Sequence, residues 1–284
     1  MSLSDRKIAV IGLGYVGLPL AALCAKKGYQ VVGLDANEQI VASLEAGKCP
    51  IRDEAVEQLL ADAITSSNFQ VTSDPGAIVD CSIYLVCVPT PVDASNEPDL
   101  EPLESACRVV APHLTTNDLV VVESTVFPGT CEQVVAPLLD EVSNLSASDD
   151  FYLAHCPERV NPGDSFWNSE NIPRVVGATS SAGVDLAAEF YASILGGKIF
   201  DVREVKKSLG PKFSETSEGL HIAQVPLGSV TKMRSIRDAE AVKAMENTVR
   251  DVNIAFVNEL AKISDVLALD VVDIIDGMAT KPFG

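Results

Sequence analysis

The segment Gly12-Leu13-Gly14-Tyr15-Val16-Gly17 constrains the fold of this chain more than any other. It follows a short apolar run, Lys7–Ile11, and opens an Ala/Leu-rich stretch, Tyr15–Lys27, that is patterned like a helix. A β-branched run, Gln30–Leu34, comes next and closes on Asp35. Strand, glycine turn, helix, strand and terminal acid are the parts of a dinucleotide-binding βαβ unit. In such a unit Gly12 permits the tight turn, Gly14 lets a pyrophosphate approach the backbone, and Gly17 packs helix against strand. The phosphates then rest on the helix N-terminus, where unpaired N–H groups and the helix dipole favour anions. Asp35 lies 18 residues past Gly17, placed to accept from the adenosine ribose hydroxyls. Its negative charge repels a 2′-phosphate, so the reading is NAD rather than NADP. The plain alternative is an ordinary glycine turn.

Further strand candidates end at Val88, Glu123, His155 and Ala178, with helical patterns around 37–46, 53–64, 100–113, 129–142 and 182–194. Strands alternating with helices predict an α/β fold with a Rossmann-like, doubly wound parallel sheet. Residues 201–231 lack periodicity and read as a linker or insertion. Arg237–Leu267 then carries a long helical pattern, about 45 Å at 1.5 Å per residue. It is expected to begin a second, all-α central domain, giving an organisation of 1–200, 201–231 and 232–284. On that helix Lys243, Asn247 and Arg250 fall at i, i+4 and i+7 and share one face, while Val242, Met245, Val249, Val252, Phe256 and Leu260 lie largely elsewhere. Opposite a nicotinamide, such a lysine and asparagine would stabilise an oxyanion or relay a proton. The spacing alone fits a solvated face with an incidental Lys–Glu pair better.

With 21 basic against 40 acidic residues and a net charge of −19, the chain has no basic face for nucleic acid, and no Lys/Arg cluster suggests a membrane surface. Ile8–Ala25 is an uncharged stretch just after Arg6-Lys7, in outline like a leader or a short span. Its three glycines and Pro19 argue against both, and the reading is a cytoplasmic protein. Seven cysteines, an odd number with no CxxC pair, predict reduced thiols with neither a disulfide framework nor a metal site.

Five stretches in the same order and spacing resemble one family, the UDP-glucose/GDP-mannose dehydrogenases: IAVIGLGYVGLPLA (8–21), VCVPTPVD (86–93), ESTVFPGT (123–130), CPERVNPGD (156–164) and AEAVKAMENTVRDVNIAFVNELA (239–261). PERVNPGD and the long helix resemble the branch acting on UDP-N-acetylhexosamines, which feeds capsule and O-antigen synthesis. The resemblance implies a four-electron oxidation of a sugar C6 alcohol to a carboxylate with two NAD+, through a cysteine thioester. It implies that Tyr15, Val16, Asp35, Pro89, Thr90 and Thr125 join the glycines in binding NAD, with Val16 and Asp35 on the adenosine half. Thr125 and Glu158 would hold the catalytic water and pass protons. Arg159 and Val160 would reach the UDP-sugar, Lys243 and Asn247 would stabilise the oxyanion, and Arg250 would lie beside the sugar nucleotide. A homodimer through the 238–267 helix is also implied.

The family pattern is departed from in several places. Ile40 stands where a basic residue often follows the ribose-binding aspartate, Pro162 stands where some members carry a second glutamate, and 201–231 is longer than the usual connection. The family nucleophile lies in a Gly-Gly-His-Cys segment, and no such segment occurs in these 284 residues. The expectation is a chain carrying the cofactor-binding and central parts without the thiol and the C-terminal UDP-binding domain, and Cys156 is expected to be a buried structural thiol. A β-hydroxyacid-type dehydrogenase, which also sets Lys and Asn four apart on a helix, and a cofactor-binding fragment without turnover are the alternatives.

Overall fold

The computed structural model describes residues 2–160, 166–204 and 226–281. The sheet strands are β1 (Ile8–Ile11), β2 (Val31–Leu34), β3 (Phe69–Thr72), β4 (Ile83–Val86), β5 (Leu119–Val122), β6 (Tyr152–His155), β7 (Arg174–Ala178), β8 (Ile199–Asp201) and β9 (Val230–Lys232). Every residue of β1, β2, β4 and β5 is buried, which explains why their sequences are unbroken apolar runs: both faces of a central parallel sheet are covered. Ile8, Val10, Ile83 and Leu85 pack under α1 (Gly17–Lys26), α3 (Glu54–Ser66) and α6 (Ser181–Leu195). Ala9, Ile11, Tyr84 and Val86 face the other way, toward α4 (Glu101–Val110) and α5 (Ala136–Ser143). The caps are local: the Asp53 carboxylate accepts from the Ala55 and Val56 N–H groups at the start of α3, and the Ser180 hydroxyl accepts from Gly183 N–H at the start of α6.

The strand order is β3-β2-β1-β4-β5-β6-β7-β9-β8. The first six strands are parallel, as the βα alternation requires. β7 is antiparallel to β6, with Ala154 opposite Ala178 and His155 opposite Gly177, and β9 and β8 continue parallel to β7. The expected doubly wound parallel sheet is thus present, with β6/β7 as its one antiparallel pair among the described residues. No described helix lies between β6 and β7 to carry the chain back, so it returns in the opposite direction. The stretch 201–231, read as a linker, gives Asp201 to β8 and Val230–Thr231 to β9, while 205–225 lie outside the described residues.

The long helix predicted from periodicity is α7 (Ile236–Leu267), followed by α8 (Val271–Ala279). The Ser235 hydroxyl caps α7 by accepting from Asp238 N–H at 3.1 Å. The buried Glu240 carboxylate, one turn in, accepts from the N–H groups of Gly129 and of Cys131, the latter at 2.8 Å. Arg237 adds an ion pair with Glu132. The helix is thereby seated on the loop after β5. Further along it, Met245, Val249, Val252 and Phe256 are exposed.

Candidate active site

Chain order runs outward from β1 to β2 and β3 on one side and resumes at β4 on the other, so the loops leaving β1 and β4 part and open a crevice. The glycine turn forms one wall. Gly12 has φ +90°, a conformation side chains rarely adopt, and a Cβ on Gly17 would stand 1.8 Å from the Gly12 carbonyl oxygen. A Cβ on Gly14 would meet nothing within 4 Å, so its bare backbone faces open space. Val16, at the N-cap of α1, brings no side-chain acceptor to the first-turn N–H groups. At the end of β2, Asp35 Oδ2 accepts from Leu13 N–H at 2.7 Å and Oδ1 from Asn37 N–H at 2.8 Å. An uncapped helix start, open space over Gly14 and a carboxylate level with the turn fit a dinucleotide's pyrophosphate and ribose.

The cleft beside this wall has a volume of about 220 Å³ and is lined by Val16, Pro89, Thr90, Thr125, Glu158, Val160 and Lys243, together with Cys87, Val88, Glu123 and Ser124. The structure thus gathers in one place residues that the sequence spreads from position 16 to position 243. Two hydroxyls lace the loops after β4 and β5: Thr90 Oγ1 donates to the Thr125 carbonyl at 2.7 Å and Ser124 Oγ to the Val88 carbonyl at 2.6 Å. Tyr15 stands exposed at an adjoining depression that also touches Glu158, Val160 and Trp167. Lys243 reaches the cleft from α7. Burial lowers its ammonium below the usual lysine range, with Arg250 and Arg159 acting the same way against Glu246 and Glu158.

Glu158 follows β6 and is held from two sides. Its Oε1 accepts from the N–H groups of Arg159 (2.6 Å) and Val160 (2.7 Å), and its Oε2 accepts from Arg174 Nη2 at 2.7 Å. Arg159 turns toward the long helix, donating to both oxygens of Glu246 and to the Pro173 carbonyl. Asn247 and Arg250 are exposed on α7 and do not line the cleft.

Three buried residues beneath the cleft went unnoticed in the sequence. Arg174, at the start of β7, also donates through Nη1 to Glu123 Oε2 at 2.8 Å, while the Tyr191 hydroxyl on α6 donates to Glu123 Oε1. The guanidinium lies 5.6 Å from the Tyr191 ring centre. Burial pushes the Glu123 carboxyl up to about 7, Arg174 pulling it back and Glu158 adding to the rise. Cys156 is fully buried and Cys87 nearly so, and burial holds both thiols well above the ordinary cysteine range.

The fold and the glycine wall define a dinucleotide-binding α/β domain with charged side chains facing the cofactor crevice. The profile of the UDP-glucose/GDP-mannose dehydrogenase family, NAD binding domain, matches residues 6–195, and that of the same family's central domain matches residues 237–284. The chain belongs to the UDP-glucose/GDP-mannose dehydrogenase family, and its cofactor is NAD. It is 36% identical over 279 residues to UDP-N-acetyl-D-glucosamine 6-dehydrogenase of Salmonella typhi, and 34% identical over 277 residues to Protein CapL of Staphylococcus aureus. In each case 98% of this chain aligns with 57% of the relative. The solved UDP-D-ManNAc dehydrogenase of Pyrococcus horikoshii superposes with a TM-score of 0.82 at 32% identity, covering 98% of this chain and 58% of that one. The chain therefore spans somewhat over half the length of the relatives it matches. Among the described residues, no helix is long and apolar enough to cross a membrane.

Proposed function

We propose that the chain serves the NAD-dependent oxidation of the C6 alcohol of a UDP-sugar, most specifically a UDP-N-acetylhexosamine, to the uronic acid used in surface polysaccharides. The observation that carries this reading is the convergence of Thr125, Glu158 and Lys243 on the wall of one cleft beside the glycine turn. The names of the Salmonella typhi and Pyrococcus horikoshii relatives support the N-acetylhexosamine. NAD, when bound, supplies the hydride acceptor. Gly12, Gly14, Tyr15, Val16, Gly17, Asp35, Pro89, Thr90 and Thr125 hold it, with Asp35 on the ribose. Thr125 and Glu158 hold a water and pass protons at the sugar C6. The Lys243 ammonium stabilises the oxyanion there; for Asn247, which shares that role, and for Arg159, Val160 and Arg250 as contacts of the sugar nucleotide, the support is the family resemblance, since Asn247 and Arg250 stand outside the cleft lining.

We read residues 1–200 as the cofactor-binding unit, 201–231 as an insertion and 232–284 as the start of the central domain, a division supported by the extents of the two family matches. The exposed Met245, Val249, Val252 and Phe256 support a homodimer through the 238–267 helix. The unpaired thiols of all seven cysteines support a reducing, cytoplasmic setting.

The second oxidation calls for a reactive thiol. Cys87 lines the cleft, but burial keeps it protonated and a poor nucleophile. That favours, as a second reading, a chain that binds NAD and turns nothing over. Incubation with NAD+ and a panel of UDP-sugars, following absorbance at 340 nm and the sugar by mass spectrometry, separates the two. NADH formed from a UDP-N-acetylhexosamine, and abolished by Lys243→Ala, supports the first; NAD binding with no NADH from any UDP-sugar supports the second.

A further inference from the structure

The most enclosed charged cluster among the described residues lies directly under the cleft: one guanidinium, Arg174, between two carboxylates, Glu123 and Glu158. We propose that Arg174 and Glu123 are positioning residues for Glu158, the guanidinium clamping both carboxyl groups so that Glu158 stays aimed at the cleft while a proton entering the pair resides on Glu123. This rests on the reading of Glu158 as the group that handles water and protons at the sugar.

The geometry assigns the two carboxylates different tasks. Glu158 accepts three hydrogen bonds, two from backbone N–H groups and one from Arg174, which together fix its carboxyl group in place. Its side chain is 13% exposed, and Lys243 faces it from α7 with Arg159 and Glu246 close by. Glu123 is sealed in, its side chain 0% exposed, between Arg174 and Tyr191. The other titratable groups about it are the thiols of Cys24 on α1, Cys87 after β4 and Cys156 after β6, all held neutral by burial. Glu123 touches one cation, Arg174, and shares it with Glu158, so the guanidinium charge at that sealed end of the cluster is divided between two acceptors. A proton taken up by Glu123 relieves that sharing. There the link to Tyr191 reverses, the protonated Glu123 donating its O–H to the phenol oxygen, whose own hydrogen turns toward Cys156. The reversal of strand direction makes the clamp possible: the first residue of antiparallel β7 lies beside the C-terminal ends of β5 and β6, where Glu123 and Glu158 emerge.

Side-chain carboxyl ¹³C resonances of the glutamate-labelled chain, followed between pH 5 and 9, test the clamp without requiring turnover. One resonance is expected to titrate near neutrality, to vanish in Glu123→Gln, and to move at least one pH unit lower in Glu158→Gln, where the second anion is gone. Circular dichroism confirms that each variant folds. A neutral titration that vanishes in Glu158→Gln instead, or none in the wild type, overturns the assignment. In the 340 nm assay Arg174→Lys is expected to lower kcat at least tenfold with KM for NAD+ unchanged. An undiminished kcat overturns the positioning role. A wild type that forms no NADH defeats the functional reading and leaves the carboxyl titration to decide the clamp.

Discussion

The Asp35 carboxylate accepts the Leu13 N–H at 2.7 Å, tying the end of the second strand to the middle of the glycine turn. One residue thus both offers oxygens to a ribose and holds the loop over which the pyrophosphate lies. Asp35→Ala removes both functions. NAD+ affinity is expected to fall at least tenfold, about 1.4 kcal/mol, and the preference for NAD+ over NADP+ to narrow. Isothermal titration with each cofactor checks this, and an unchanged ratio of affinities would remove Asp35 from the selectivity argument.

Gly14 and Gly17 should respond differently to the same methyl group. Gly17→Ala places a Cβ 1.8 Å from a backbone oxygen, so α1 must shift away from the turn. The expected cost is ~3 kcal/mol or more, seen as a clear drop in Tm. Gly14→Ala has open space around it and should melt within a degree or two of the wild type. Its Tm should rise far less on adding NAD+, because the methyl group stands where the pyrophosphate approaches. Equal melting of the two variants would contradict the assignment of their roles.

Glu240 joins the long helix to the sheet domain through two buried N–H groups, those of Gly129 and Cys131. Glu240→Ala leaves both donors without an acceptor, an expected loss of ~2–4 kcal/mol in urea unfolding. Glu240→Gln keeps one acceptor and should lose roughly half as much. A loss below ~0.5 kcal/mol for the alanine variant would mean that the first turns of α7 do not depend on this anchor.

Two buried groups tilt stability with pH in opposite directions. His155 is fully buried, neither ring nitrogen has a partner among the described residues, and burial lowers it from 6.5 to about 3. Its contribution is complete above about 6.5 and is lost as pH falls toward about 3, because the unfolded chain takes up the proton first. Glu123, raised from 4.5 to about 7, does the reverse: the folded chain holds a proton that the unfolded one has released, so stability falls as pH rises through that window. Between pH 5 and 7 each effect amounts to ~2 kcal/mol and they nearly cancel. His155→Leu should therefore make the protein less stable at pH 7 than at pH 5, and Glu123→Gln should make it more stable at pH 7. Urea midpoints at the two pH values decide the matter; parallel shifts of both variants would refute it.

Local patterns carried much of this structure. The Lys7–Asp35 stretch shows its strand, turn, helix and acid within thirty residues, and the 3.6-residue period over Arg237–Leu267 marks the long helix to within one residue. The direction of β7 was not legible, since an apolar run such as RVVGA reads the same either way. With it went Arg174, which a parallel strand would have put at the far end of the sheet from Glu123 and Glu158. Tyr191 was hidden for a related reason: on α6 it reads as one more large residue of a helix face, and only the packing of α6 on the sheet aims its hydroxyl at Glu123. The strands β8 and β9 are three residues each, too short to show a period.

The most direct measurement is a crystal structure of the chain grown with NAD+. The account predicts the pyrophosphate on the N–H groups at the start of α1, the adenosine ribose on Asp35, and the nicotinamide in the cleft that Thr125, Glu158 and Lys243 share. A dinucleotide bound away from the glycine turn, or a nicotinamide directed away from Glu158 and Lys243, would contradict it.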